Sequence, residues 1–178
     1  MPVGKPEDQE EWMATKENLA GAFAGESQAN RKYLAFAKKA ELEGLPQVAR
    51  LFRAAAHAET VHAHAHLRAM GGIKSTLENL KEAIEGEGFE FQKMYPPFLE
   101  EAKSEGHRAA EVSFRNALAV EEVHHDLYQK ALAAAEGGAD LADRPLYVCE
   151  ICGHTVYDDA PDKCQVCQAP KAQFTLIA

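Results

Sequence analysis

The strongest constraint on this chain is that it repeats itself. At an offset of 62 residues, Phe52-Arg53-x-Ala55 recurs as Phe114-Arg115-x-Ala117, and Glu59-x-Val61-His62 recurs as Glu121-x-Val123-His124. Tyr33, Phe36, Ala40, Glu43 and Gly44 recur as Tyr95, Phe98, Ala102, Glu105 and Gly106 at the same offset. A period of this size marks one supersecondary unit used twice. Within the first unit, Leu19, Phe23, Tyr33, Leu34 and Ala37 fall at helical spacing, so the unit reads as a pair of helices. Helices are expected over 15–43, 46–70, 76–105 and 107–136, and each would be ~40 Å long. Thr15 suits an N-cap, Gly44 and Gly106 suit helix stops, and Pro46 suits a first turn. Ser75 followed by Glu78 resembles a capping box. Gly86, Gly88 and Pro96–Pro97 predict a break or bend in the third helix. Short connections make antiparallel pairs, which is the layout of a four-helix bundle. Residues 1–14 read as a flexible lead-in, 137–145 (GGADLADRP) as a linker and 146–178 as a small separate domain.

The repeat slips by one residue upstream. Gly25-Glu26 matches Gly86-Glu87 at an offset of 61, so Glu26 lies seven residues before Tyr33 but Glu87 lies eight before Tyr95. One extra residue inside a helix is absorbed most simply as a π-turn, a feature concentrated at functional sites. The slip predicts one between Glu87 and Tyr95.

Glu59 and His62 share a helical face, as do Glu121 and His124. Both faces are otherwise apolar, with Phe52, Ala55 and Ala56 before Glu59, and Phe114, Ala117 and Leu118 before Glu121. These ionisable groups are therefore expected in the core, where a carboxylate is costly unless paired or metal-bound. Glu26 and Glu87 occupy matching places on the partner helices. A Glu from each of two helices with Glu-x-x-His from the other two is the donor set of di-iron and di-manganese carboxylate bundles. A single Glu-x-x-His is usually a solvated pair; two in register on apolar faces point to metal. Glu90 shares the face of Glu87, and its repeat counterpart is Gln28, so the site would be asymmetric. By spacing alone Glu90 is equally a solvated helix residue. Tyr33 and Tyr95 read as core aromatics whose phenols could hydrogen-bond ligand carboxylates. His57, His64, His66 and His125 read as surface or supporting residues.

All four cysteines lie in the tail, as Cys149-x-x-Cys152 and Cys164-x-x-Cys167. Two such knuckles form a tetrahedral four-sulfur site. Spacing alone leaves zinc and iron open, and the adjoining di-metal motif favours iron. Tyr147, Tyr157 and Phe174 are expected to form a small aromatic core there. The chain carries 19 basic and 28 acidic residues, a net charge of −9 with no basic run, which disfavours nucleic acid or an anionic membrane as partner. Its apolar stretches are too short to span a bilayer, and MPVGKPEDQEEW lacks the apolar core of a signal peptide, so a cytoplasmic location is expected.

The segments GESQANRKYLAFA (25–37), AETVHA (58–63), GEGFEFQKMYPPF (86–98), AVEEVHH (119–125) and YVCEICGHTVYDDAPDKCQVCQAPKAQF (147–174) resemble the rubrerythrin family over nearly the full length of the chain. The second knuckle reads Cys-Gln-Val-Cys where that family often has proline after the first cysteine, a departure that leaves the ligands intact. The resemblance implies a mainly α protein: a ferritin-like four-helix bundle followed by a rubredoxin-like domain. It implies a di-iron site, oxo-bridged when oxidised, and one iron, or zinc, held by Cys149, Cys152, Cys164 and Cys167. It implies reduction of hydrogen peroxide to water, with electrons from an external donor passing through the rubredoxin-like centre. Carried over, Glu59 and Glu121 would bridge the irons, Glu26 and Glu87 would be terminal ligands, and His124 would hold one iron. His62 and Glu90 would exchange at the other iron on oxidation. A tail appended to the last helix is expected to lie far from its own di-iron site, which suggests a head-to-tail homodimer. Two alternatives stand beside this reading: a ferritin-like ferroxidase or iron-handling protein, and a di-metal bundle with a structural zinc ribbon.

Overall fold

The structure, a computed structural model, describes residues 7–177. It divides into two compact units, Met1–Lys74 and Ser75–Ala178.

The first unit is a hairpin of α1 (Glu7–Leu42) and α2 (Pro46–Ala69). The expected lead-in over residues 1–14 is too long: residues 1–6 lie outside the described part, but helix begins at Glu7, and Thr15 is internal rather than a cap. The stretch after Pro6 contains neither proline nor glycine before Gly21, so nothing in it obliges the helix to start later. The turn closes at Gly44, where Leu45 N–H donates to Ala40 O at 2.9 Å. Ala37, Ala40, Ala49, Ala56 and Ala63 are buried, and such small side chains let two helix backbones approach closely. Asn30 is buried too; its Nδ2 donates to Ala56 O at 2.6 Å and to Thr60 Oγ1 at 2.8 Å, tying α1 to α2.

The second unit starts with α3 (Thr76–Phe89), opened by the expected capping box: Glu78 N–H donates to Ser75 Oγ while the Glu78 carboxylate accepts from Ser75 N–H. The predicted break does not occur at Gly86 or Gly88. The helix instead passes through a π-helical turn, Glu90–Met94, into α4 (Tyr95–Ser104). This is the turn that the repeat slip requires between Glu87 and Tyr95. Its wider ladder is seen where Tyr95 N–H donates to Glu90 O, five residues back. Pro96 and Pro97 follow in the first turn of α4, and their missing donors are tolerated there. His107 caps α5 (Arg108–Glu136), its Nδ1 accepting from Ala110 N–H at 3.2 Å.

The repeat extends to side-chain packing. Tyr33, Phe36 and Phe52 cluster at centroid separations of 6.3, 6.1 and 5.6 Å. Their counterparts Tyr95, Phe98 and Phe114 cluster at 6.4, 6.2 and 5.7 Å.

The tail forms a three-stranded antiparallel sheet in the order β2 (Thr155–Tyr157), β1 (Leu146–Cys149), β3 (Phe174–Ile177). Its expected aromatic core is not what fills it. Tyr147, Tyr157 and Phe174 are only half-buried, and Tyr157 lies under the Arg144 guanidinium at 5.0 Å. Cys149, Cys164, His154 and Ala160 are the buried residues. In so small a domain the sulfurs take the place that a hydrophobic core would fill.

Candidate metal centres

Among the described residues, three groups of side chains have the donor types and convergence to hold a metal. Ligand atoms lie within 4.8 Å of one another in Cys149/Cys152/Cys164/Cys167, in Glu26/Glu59/His62, and in Glu87/Glu121/His124.

The cysteines come from two knuckles of matching shape. Gly153 N–H donates to Cys149 O at 2.8 Å, and Gln168 N–H donates to Cys164 O at 3.0 Å. Both turns need left-handed backbone, φ 86 at Gly153 and φ 65 at Gln168. The Sγ atoms of Cys149 and Cys167 are 3.7 Å apart, and those of Cys152 and Cys164 are 3.6 Å apart. A tetrahedral site with metal–sulfur bonds of about 2.3 Å has edges of about 3.8 Å, so the cage already has the required size. Burial, and then the neighbouring sulfurs, push the Cys152 thiol far up; a cation is what makes four thiolates tolerable in one place. His154, 5% exposed, sets its Nδ1 3.6 Å from Cys164 Sγ. Burial, and then the charge of His124, holds its imidazole towards the neutral form.

The carboxylate–histidine groups follow the repeat. His62 Nδ1 lies 2.8 Å from Glu59 Oε2, and His124 Nδ1 lies 3.0 Å from Glu121 Oε2 and 3.9 Å from Glu87 Oε1. The expectation that these groups are buried needs correction. The His62 side chain is 55% exposed, while those of Glu59, Glu87, Glu121 and His124 are half-buried. A two-helix hairpin shields its ligand face from one side only. Glu90 begins the π-turn and stands outside both groups of three. Its carboxyl is nonetheless raised, first by burial and then by the charge of Glu87. Glu87 is raised by burial and then by its hydrogen bond and charge with Glu121. The Tyr95 phenol is pushed up by burial and by Glu90, Glu121 and Glu87, in that order, and stays a proton donor beside them.

The tail meets this second group directly. Thr155 Oγ1 donates to Gly153 O at 3.1 Å, and His124 Nε2 lies 3.0 Å from the same Oγ1. With its one proton given to Gly153, the hydroxyl can only accept, so His124 Nε2 carries a proton. Nδ1 faces the Glu121 carboxylate. In the metal-free chain a proton between Nδ1 and the carboxylate satisfies this pair, and a cation that takes the proton's place would be held by both groups, so the donor set fits a metal ion. The expectation that the tail lies far from the bundle ligands of its own chain is therefore wrong. β2 rests on α5, and a Cβ built on Gly153 would meet Val120 at 3.5 Å. The stated reason for a head-to-tail dimer goes with it.

Thr155, His154 and Asn30 escaped the reading of the sequence. Asn30, four residues after Glu26 on a stripe of alanines and aromatics, was the one with a visible signal.

Comparison with known proteins agrees in both parts. The family model described as Rubrerythrin matches residues 17–132, and that described as Rubrerythrin, rubredoxin-like domain, matches residues 147–175. Rubrerythrin-2 of Clostridium acetobutylicum is 33% identical, over 90% of this chain and 95% of the relative. Nigerythrin of Nitratidesulfovibrio vulgaris is 35% identical, over 91% of this chain and 86% of the relative. A solved structure of nigerythrin described as fully reduced and all ferrous is similar with TM-score 0.55 at 32% identity, covering 99% of this chain and 89% of that one. The fold is mainly helical and ferritin-like with a C-terminal four-cysteine domain, and no described helix is long and apolar enough to cross a membrane. With matches spanning both the helices and the tail, this chain belongs to the rubrerythrin family, whose members are oxidoreductases.

Proposed function

We propose that this chain is a non-haem di-iron peroxidase that reduces hydrogen peroxide to water with electrons passed through an iron in the four-cysteine site, and so protects against oxidative stress. The observation that carries the reading is the contact between Thr155 and His124. It joins a four-sulfur cage to a carboxylate–histidine group through hydrogen bonds of 3.1 and 3.0 Å, the first of them to the residue that follows Cys152. A ferroxidase that stores iron has no use for such an appended donor, and a structural zinc ribbon has no need to touch a ligand histidine.

Glu26, Glu59, His62, Glu87, Glu121 and His124 would hold the pair of irons. When bound, the irons supply the two electrons of H2O2 + 2 e⁻ + 2 H⁺ → 2 H2O. The rest falls to the chain's own groups. Cys149, Cys152, Cys164 and Cys167 would hold an iron, which would supply single electrons taken from an external donor of rubredoxin or reductase type. Thr155 keeps the His124 proton on Nε2 and so keeps Nδ1 free to ligate. Glu90, raised by burial and by Glu87, is a carboxyl that can bind or give up a proton, and it would be a further carboxylate donor to the irons in place of the neutral His62. Tyr33 and Tyr95 offer phenol protons to the ligand carboxylates; Tyr95 remains protonated for the reasons given above.

The test is iron and zinc analysis of the purified protein together with stopped-flow oxidation of the reduced form by peroxide and by dioxygen. About three irons per chain and faster oxidation by peroxide are expected. Zinc in the four-cysteine site, or oxidation by dioxygen alone, would overturn the peroxidase reading.

A further inference from the structure

We propose that His154 raises the reduction potential of the four-cysteine centre, by donating a side-chain hydrogen bond to Cys164 Sγ that favours the ferrous state of an iron bound there. The inference rests on the reading above that iron occupies this site.

The two knuckles share one backbone. Shifted by 15 residues, Cys149, Cys152, Gly153 and His154 fall on Cys164, Cys167, Gln168 and Ala169. The hydrogen bonds follow the same shift. Cys149 N–H donates to His154 O at 3.0 Å, and Cys164 N–H donates to Ala169 O at 2.8 Å. Cys152 Sγ accepts the backbone N–H of His154, and Cys167 Sγ accepts that of Ala169. His154 and Ala169 therefore hold equivalent places, and their backbones serve the cage alike. Their side chains do not. Ala169 offers only a methyl group. The His154 ring crosses to the other knuckle and sets Nδ1 3.6 Å from Cys164 Sγ. Cys164 already accepts the backbone N–H groups of Val166 and Cys167, so the ring adds a donor that the shared backbone does not supply. Cys164 is fully buried and His154 is 5% exposed, so water competes little for this bond.

The direction of the bond follows from the site. A cysteine binds metal as a thiolate. Such a sulfur has no proton to give and can only accept, so the shared proton belongs to Nδ1. Reduction of ferric to ferrous iron adds one electron, and so one negative charge, to the cage; no bond breaks and no proton is taken up. A donor aimed at a sulfur stabilises the more negative state, and hydrogen bonds to the sulfurs are among the factors that set such potentials. The low dielectric around two buried groups strengthens the effect. His154 touches neither peroxide nor the iron; it acts through Cys164 and is a positioning residue. In turnover it would let the tail accept an electron from the external donor more readily and hold it until peroxide arrives.

The test compares full-length wild type, His154→Asn and His154→Leu, each loaded with iron, by spectroelectrochemical titration of the red absorption. Asparagine and leucine share one branched shape, but asparagine can place an N–H where Nδ1 stands and leucine places a methyl group there. His154→Leu should shift the equilibrium about tenfold towards ferric iron, a fall of about 59 mV for one electron, while His154→Asn stays near the wild type. Equal potentials in the two variants would mean that the ring only fills space, and would overturn the proposal. A second measurement needs no variant. Nitrogen-15 NMR of the wild-type chain loaded with zinc at its cysteines should find a proton on His154 Nδ1; a proton on Nε2 alone overturns the proposal. Should the purified protein carry zinc in place of iron, the peroxidase reading fails by itself, while reconstitution with iron and the same two measurements still decide the role of His154.

Discussion

Replacing Thr155 with valine keeps the shape of the side chain and deletes its oxygen, which makes it a clean probe of how the tail acts on the metal site. In the native chain the His124 Nε2–H has Thr155 Oγ1 as its partner at 3.0 Å, and that hydroxyl is fixed by Gly153 O at 3.1 Å. Thr155→Val leaves Nε2–H facing a methyl group. A buried donor without a partner costs about 1–3 kcal/mol. The His124 side chain is 28% exposed, so water recovers part of this, and about 1 kcal/mol of stability should be lost. The larger effect falls on the metal. With Nε2–H unsatisfied, His124 is free to turn its ring or move its proton to Nδ1, where Glu121 would accept it. The lone pair that would ligate is then lost in part of the population. Loss of a partner that orients a ligand typically weakens metal binding roughly 10–100-fold. Anaerobic titration with ferrous iron, with Thr155→Ser as the conservative control, measures the change. Nitrogen-15 NMR of the metal-free histidines should show Nε2–H at His124 in the wild type and in Thr155→Ser, and a mixture in Thr155→Val. Equal iron affinity in Thr155→Val and wild type, with the His124 tautomer unchanged, would refute the reasoning.

Other consequences are open to measurement. Glu90→Gln should load iron normally but slow peroxide turnover by roughly 10²-fold, the scale of losing one placed charge stabiliser; unchanged turnover sinks the exchange of His62 for Glu90. Gly153→Ala should lower stability by about 1–2 kcal/mol, because alanine is strained at φ 86, as read by thermal or denaturant unfolding of the loaded protein. In metal-free protein, Glu87 and Glu90 are raised by burial, so folding holds their protons beyond the pH at which the unfolded chain releases them. Metal-free stability should therefore fall as pH climbs from the ordinary carboxylate range through their raised values. Denaturant titrations from the ordinary carboxylate range up to neutral pH should show this decline, and Glu87→Gln/Glu90→Gln should flatten it.

What could be read in the sequence is what repeats. The ligand pairs Glu59/His62 and Glu121/His124 announce themselves because a helix places residues three apart on one face, and the second copy removes the chance explanation. A single inserted residue between Glu87 and Tyr95 was enough to place the π-turn at Glu90–Met94, since any other accommodation would rotate Glu87 off the face that Glu26 occupies in the first copy. The knuckles were legible for the same reason of fixed local spacing. Contacts made across the chain were not. Thr155 is a strand residue without pattern, and only the docking of β2 on α5 brings it to His124. That docking reversed the expected separation of tail and bundle. His154 stands against Cys164 Sγ in the loop between β1 and β2, a contact that no period predicts. The aromatic residues misled in the tail: Tyr157 is apolar enough for a core, yet its place under Arg144 serves it as well. Helix ends were legible where a stop was needed, at Gly44 and Ser75, and not at Glu7, where nothing in the sequence demanded a later start.

The central claim is that the four-cysteine site feeds the carboxylate–histidine site of this protein. It is tested most directly by reducing the iron-loaded protein without oxygen, adding peroxide, and following the rubredoxin-type absorption in a stopped-flow instrument. In the wild type the red absorption should return within the time of peroxide reduction, and in Glu121→Ala it should return far more slowly. Equal rates in the two proteins would show that peroxide oxidises the cysteine-bound iron on its own, and would contradict the account.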